Sequence, residues 1–415
     1  MQQNQRTLRH KQHNQKVTQQ DKKKHNRNKV SSHLKCILIN ARSIINKKEE
    51  IEALAYEKDP DILLITETWA KDKHSIGEVS LKGYDCHRND RTHTERGGGC
   101  IIYAKSSLKT VLIEDLTKTA NTDTVWCKHE DVTIGVCYNT TANNVEDEEP
   151  LLHLLTRACN LGGETVIAGD FNHESIDWET LEATAEGQRF LDTTGDLFLT
   201  QHVTEPTRGR NTLDLVFSTN ESQISNCRVT EKLATSDHNM VEFEIATKQA
   251  STSWKTKYRD YRNADYDKVR EEIQAEDYTH NADSSDTESM WNSLKSTLKD
   301  VVEKIIPLKE RLDGKPPKPM WWNRKIKKLR KKRLKWWNKF KDSNRECTQY
   351  EQKYLHYQKE VNKEIRSSKR KLEKRLGENI KTDRKGFFKY ARSKMKVKCW
   401  THKEACCDLF CSSIN

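Results

Sequence analysis

Six stretches of the chain end or begin on side chains able to hold charge or move a proton. Asn40 closes LKCILIN, Glu67 closes DILLITE, Tyr138 closes TIGVCY, and Asp170 with Asn172 closes ETVIAGDFN. Asp214 opens LDLVF after a polar loop, and Asp237-His238 stands just before MVEFEI. Carboxylates, carboxamides, a phenol and an imidazole can together hold a hard cation, orient water and stabilise developing charge. A single Asp at such a position is ordinarily a turn former, and His238 alone would be an ordinary surface histidine. Six such ends in one chain point to one convergent site.

The elements that must position these residues follow from the apolar pattern. LKCILIN, PDILLITETW, GGGCIIYA, TVWCKHEDVTIGVCYN, ETVIAGDFN, TLDLVFS and MVEFEIAT are short runs with strand character. IINKKEEIEALAYEK carries apolar residues at helical spacing, and helical stretches lie near 147–160 and 185–195. Continuous apolar strands alternating with helices predict an α/β architecture with a largely buried sheet. Residues 34–247 suit one domain. Gly97-Gly98-Gly99 lacks the setting of a phosphate-binding loop and reads as a turn.

The flanks differ in charge. The net of +12 over 415 residues conceals a block at 34–247 with 21 basic and 37 acidic side chains. Residues 1–33 carry nine Lys/Arg and one Asp, and residues 248–415 carry 44 basic and 24 acidic side chains. Such asymmetry marks a polyanion partner held by the flanks. Residues 1–33, rich in Gln, Asn and Lys, predict a disordered basic tail. Residues 248–320 read as a polar, partly helical linker, broken at Lys315-Pro316-Pro317-Lys318-Pro319. Residues 321–398 read as a basic amphipathic helical connector. Its apolar positions Ile326, Leu329, Trp336, Phe340, Cys347, Tyr350, Tyr354, Tyr357 and Val361 form a partial heptad stripe. Trp321, Trp322, Lys325 and Lys328 would contact nucleic acid through stacking and phosphate binding. The equal alternative is a helical hairpin packed against a neighbouring domain. In 399–415, Cys399, His402, Cys406, Cys407 and Cys411 do not have the spacing of a standard zinc site. The longest apolar runs, Cys36–Ile39 and Ile62–Ile65, fall far short of the roughly 18 residues of a membrane span. Twelve scattered cysteines and no apolar leader predict reduced thiols in an intracellular chain.

The series NARSI, LLITETW, the Tyr of GVCYNTT, GDFNH, TLDLVF and SDHNMVEF resembles the endonuclease/exonuclease/phosphatase superfamily, the DNase I-like fold. More closely, it resembles the apurinic/apyrimidinic-type endonuclease domain at the N-terminus of non-LTR retrotransposon polyproteins. The likeness covers residues 34–247, and the Trp-Trp-Asn segment with its basic helix is similar to the connector toward reverse transcriptase. No YxDD-type carboxylate pair is present, so the chain is expected to be the front portion of such a polyprotein, ending before the polymerase.

The resemblance implies a four-layered α/β sandwich and a Mg²⁺-dependent nuclease, with Mn²⁺ a substitute. By family match Glu67 is the foremost metal ligand, with Asn40 beside it and Asp237 a further candidate. Asp170 would orient or deprotonate the attacking water, and Asn172 would hold that water or a phosphate oxygen. His238 would stabilise the scissile phosphate, Asp214 would fix the tautomer of His238, and Tyr138 would donate to the phosphate. The stretch Arg210-Asn211-Thr212-Leu213-Asp214 lacks the aromatic that lines an abasic pocket in repair relatives. The expected reaction is therefore a nick in ordinary duplex DNA, leaving a 3′-hydroxyl for target-primed reverse transcription, with Arg208 and Arg210 as phosphate contacts. Element RNA on the basic flanks, a nuclear location and no membrane partner are also expected. The rivals are an abasic-site nuclease or other phosphoesterase of this fold, and an inactive nucleic-acid-binding relic.

Overall fold

The computed structural model describes residues 32–91, 97–119, 122–140, 142, 145–247, 255–261, 263–275, 287–312 and 316–392. The expectations for residues 1–31 and for the Cys-rich segment 399–415 lie outside them. Two six-stranded sheets form the first half. One has the order β13 (Ile224–Lys232), β14 (Asn239–Thr247), β1 (Ser32–Asn40), β2 (Ile62–Thr66), β4 (Cys100–Lys105), β3 (Tyr84–Asn89). The other has the order β11 (Thr200–Gln201), β12 (Asp214–Ser218), β8 (Glu164–Asp170), β7 (Val132–Tyr138), β6 (Asp123–His129), β5 (Val111–Leu112). A short antiparallel pair joins β9 (Ile176–Asp177) to β10 (Glu182–Ala183), and among the described strands only β1 with β2 and β7 with β8 pair in parallel.

Side-chain alternation sorts the strands into layers. Leu34, Cys36, Leu38, Ile62 and Leu64 of one sheet meet Val125, Ile134, Val136, Val166 and Val216 of the other in a buried inner core. The alternate residues Ile37, Ile39, Leu63, Ile65 and Tyr103 face outward onto Ile51, Leu54 and Ala55 of helix α1 (Lys48–Lys58). On the far side, Trp126, Ile167, Leu215 and Phe217 pack under α2 (Val145–Cys159) and α3 (Ala185–Asp196). Strands buried on both faces read as unbroken apolar runs because each face meets a different apolar layer. The result is the helix–sheet–sheet–helix sandwich. Strands β3, β5, β11 and β13 were not anticipated. The exposure of β13 alternates along an edge with two register shifts, so its sequence ISNCRVTEK carries little apolar signal.

Two compact units divide the chain: Met1–Ser251 with Pro316–Asn415, and Thr252–Lys315. The smaller holds a hairpin of β15 (Lys255–Arg259) with β16 (Leu308–Leu312) and helices α4 (Tyr266–Ala275) and α5 (Thr287–Ile305). In the larger unit, α6 (Arg324–Asp342) and α7 (Thr348–Glu378) form an antiparallel pair that packs on the sandwich. Trp321 and Trp322, expected to stack on nucleic acid, are buried against Ala53 and Tyr56 of α1. The Trp321 indole also donates to Glu52 Oε2 at 3.2 Å. Their ring faces are occupied by protein, which corrects the stacking expectation: the packed hairpin is what forms. Lys325 is exposed and ion-paired to Glu364 at 2.6 Å, while Lys328 is exposed. The inward row of α6 is Ile326, Arg330, Arg333, Trp337 and Phe340, so two arginines stand where an apolar stripe was expected. Arg330 pairs with Glu57, and Arg333 donates from Nε to Glu231 at 2.9 Å. Among the described residues no helix is long and apolar enough to cross a membrane.

Candidate active site

Strand register builds the site. Tyr138 lies opposite Asp170 across the parallel β7–β8 pair, and Asp170 lies opposite Asp214 across the antiparallel β8–β12 pair. Three functional side chains thus form one row at one end of a sheet. Asn40 ends β1 of the other sheet, paired with Thr66, and Glu67 follows. The Asn40 amide joins the two rows, donating to Glu67 Oε1 at 2.8 Å and to Asp170 Oδ2 at 2.7 Å. His238 starts from the β13–β14 connection and places Nδ1 2.8 Å from Asp214 Oδ2 and 3.8 Å from Asp170 Oδ2. Asp170, Asp214 and His238 are buried and offer three ligand atoms within 4.8 Å of one another.

The turns that carry these groups are held by specific bonds. Glu67, Trp69 and Asn172 have φ of 48°, 53° and 54°. That left-handed region suits Asn but strains Glu and Trp. The backbone of Thr68 and Trp69 donates to Gly99 and Gly98, which sit at φ of 80° and 70°. A Cβ on Gly99 would stand 2.6 Å from Thr68 Oγ1, and one on Gly98 would overlap the Arg91 guanidinium. The glycine triplet is therefore a turn, as its setting indicated, and one that supports Glu67.

Burial sets the proton affinities. It pushes the Asp170 carboxyl well above its ordinary range, and the Asp214 carboxylate adds to the effect. Burial alone would lower His238, but the Asp214 carboxylate, then Asp170 and Asp237, outweigh it and raise the imidazole to about 9. The imidazole thus keeps its proton at neutral pH. Burial pushes the Tyr138 phenol up, with Glu67 and Asp170 adding to the effect, so it stays neutral and able to donate. Burial also acts to raise Asp237, yet His238 and two arginines hold it below the usual carboxylate range.

The structure brings Asn40, Glu67, Tyr138, Asp170, Asn172, Asp214 and His238 into this end of the sandwich. Asp237 is engaged through Oδ2 by Arg42 at 3.1 Å and Arg208 at 3.2 Å, while its Oδ1 has no hydrogen-bond partner. Arg208 is thus an ion-pair partner of Asp237, and Arg210 lines a cleft of about 950 Å³ with His173, Trp178 and Asn211.

Supporting residues escaped the sequence reading. The Thr207 hydroxyl accepts from the backbone of Leu213 and Asp214 at 3.0 Å each. Ser236 Oγ donates to the Asn40 carbonyl at 2.8 Å, and the Trp69 indole donates to Glu67 Oε2 at 3.1 Å. Arg91 lies over the Tyr138 ring, 5.6 Å from its centroid. His173 Nε2 stands 2.7 Å from Glu148 Oε1, which also takes the Asn139 amide, and the Asn139 carbonyl accepts the Asn172 side chain at 2.8 Å. The available signal was adjacency: His173 directly follows Asn172 in GDFNH.

A two-sheet sandwich with carboxylates, an imidazole and carboxamides converging at the strand ends defines a phosphoester-hydrolysing enzyme. Residues 38–238, close to half of the chain, match the Endonuclease/Exonuclease/phosphatase family, and this region is a domain of that DNase I-like superfamily. No curated protein matches the chain. Among solved structures it is similar to the endonuclease domain of TRAS1, a telomere-specific non-LTR retrotransposon. That likeness has 20% identity and a TM-score of 0.43, covering 52% of this chain and 100% of that one. It is also similar to an AP endonuclease from Archaeoglobus fulgidus, at 15% identity and TM-score 0.39, covering 51% and 99%. A Neisseria 3′ phosphatase bound to product DNA hairpin is similar at 15% identity and TM-score 0.41, covering 51% and 99%.

Proposed function

We propose that the chain is a divalent-metal-dependent endonuclease that nicks duplex DNA and leaves a 3′-hydroxyl. In this reading it is the nuclease part of a non-LTR retrotransposon polyprotein, acting in the nucleus on target DNA. The observation that carries it is the convergence of Asn40 and Glu67 from one sheet with Asp170, Asp214 and His238 from the rest of the sandwich. The donor set fits a hard cation, because its carboxylates offer several oxygens and Asp237 Oδ1 is buried without a hydrogen-bond partner. Glu67 and Asn40 would hold Mg²⁺, or Mn²⁺ in its place, with Asp237 contributing through Oδ1. The bound ion would supply charge neutralisation at the phosphate.

Asp170 orients the attacking water and takes its proton, and Asn172 fixes that water or a phosphate oxygen. Asp214 holds His238 through Nδ1, which leaves Nε2 to donate to a phosphate oxygen and stabilise its growing charge. Tyr138 donates a second hydrogen bond to the phosphate. Residues 34–247 constitute the nuclease domain, and residues 321–398 its basic helical connector.

The test is plasmid nicking with Mg²⁺, with Mn²⁺ and with chelator, beside Asp170→Ala and His238→Ala, followed by end-labelling. Metal-dependent nicks with 3′-hydroxyl ends, lost in both variants, are expected. A folded protein that leaves intact and abasic duplexes uncut would refute the reading.

A further inference from the structure

The two faces of α6 treat charge differently. Its inward cations all have carboxylate partners on the sandwich: Arg330 with Glu57 and Arg333 with Glu231. At its C-terminal end, Lys341 is 2.7 Å from Glu205. The outward face carries Lys327, Lys328, Lys331, Lys332, Lys335 and Lys339, all exposed. Among the described residues none of these six has a carboxylate within ion-pair distance, and the single acidic residue of the helix is Asp342. Like charges spaced three and four residues apart on a helix repel one another. A helix that neutralises its inward side and leaves six exposed lysines unpaired, with only Lys325 bridged to Glu364, is built to meet an external polyanion.

The aromatic residues say how that polyanion is met. The ring of half-buried Trp336 is covered by Lys339 at 5.0 Å and by Lys353 at 4.3 Å. Lys332 stands 5.5 Å over the Tyr357 ring, and Trp337 is buried. Lysines of the pair already sit over these rings, so this surface offers chiefly cations rather than a stacking platform. The helix has 19 residues, which at 1.5 Å each reach about 28 Å. A duplex, with a phosphate charge about every 1.7 Å of axis, presents a matching density over that length.

We propose that the outward face of α6 is a docking surface for the phosphate backbone of duplex DNA, separate from the catalytic pocket. The choice of DNA as source rests on the nuclease reading; the docking itself does not require catalysis.

Binding of the full chain to a short fluorescent duplex, in chelator so that nothing is cut, tests it across a salt series. One variant replaces Lys328, Lys331, Lys335 and Lys339 with Gln. The control replaces the exposed Lys73, Lys82, Lys118 and Lys128 of the sandwich with Gln. Each phosphate contact contributes about 0.9 to the slope of log affinity against log salt. The outward-face variant should therefore flatten the slope by up to about 3.6 and bind more than about tenfold weaker at low salt, with Tm unchanged. The control should keep most of its slope. Equal slopes in the two variants overturn the proposal. So does a face-dependent slope seen with single strands or duplex RNA but not with duplex DNA. Failure to nick with a face-dependent slope removes the nuclease reading and leaves the docking. Nicking with equal slopes removes the docking alone.

Discussion

His238 donates from Nδ1 to Asp214 Oδ2, and that 2.8 Å contact leaves Nε2 as the ring nitrogen for a substrate. Asp214→Asn keeps the shape and removes the anion, so the imidazolium loses its main support. We expect kcat to fall by about 10²–10⁴-fold with KM little changed, the span general acid–base and charge-stabilising groups typically contribute. Single-turnover nicking separates the two constants, and an unchanged kcat would sink the dyad. The same contact links stability to pH. Imidazole titrates at 6.5 when free and at about 9 here, so His238 contributes stability that is fully present below about 6.5. That contribution is lost as pH rises through about 9, at most about 3 kcal/mol. Asp170, raised by burial, acts in the same direction, because ionising it costs the folded state. In chelator, Tm should fall between pH 6.5 and 9, and His238→Asn should flatten the fall; a wild-type Tm constant over that window contradicts the assignment.

At the scale of elements, the turn after β2 depends on a backbone few residues can adopt. Gly99→Ala places a methyl against Thr68 and forces an L residue to φ of 80°. The expected loss is about 1–3 kcal/mol, and Glu67 moves with the turn, so Mg²⁺ should be needed at higher concentration for half-maximal nicking. A variant with the stability and metal requirement of the parent would show the turn to be slack. The strand ends were legible because a functional residue at the end of an apolar run breaks a simple pattern. The His173–Glu148 pair was not. Glu148 lies in the acidic run EDEE, which reads as a solvated helix face until α2 is seen to turn that carboxylate onto His173. Trp321 and Trp322 misled for a related reason. Their surroundings in sequence are cationic, and only the fold reveals Ala53 and Tyr56 of α1 as their packing partners.

For the whole molecule, the acidic block and the basic connector are not independent. Lys369 pairs with Glu49, Lys341 with Glu205, and Arg345 donates to the Pro206 carbonyl at 2.9 Å. Pro206 precedes Thr207, whose hydroxyl holds the backbone of Asp214. Ending the chain at Thr247 would bare the apolar patch around Ala53 and leave Glu231 without its guanidinium. Such a fragment should melt lower and aggregate more than the parent chain, which light scattering during a thermal ramp would show; equal behaviour would make the hairpin an ornament.

The chain leaves the larger unit at Ser251 and rejoins it at Pro316. Covalent continuity through Thr252–Lys315 is therefore not what keeps the sandwich and the hairpin together. A protease site engineered into that stretch, once cut, should yield two polypeptides that still copurify and still nick, held by Arg333, Glu231 and the two indoles. Separation of the pieces after cutting would mean that the linkage, and not the packing, maintains the union. If they stay together, the protein can be divided there into two pieces that reassemble through packing alone.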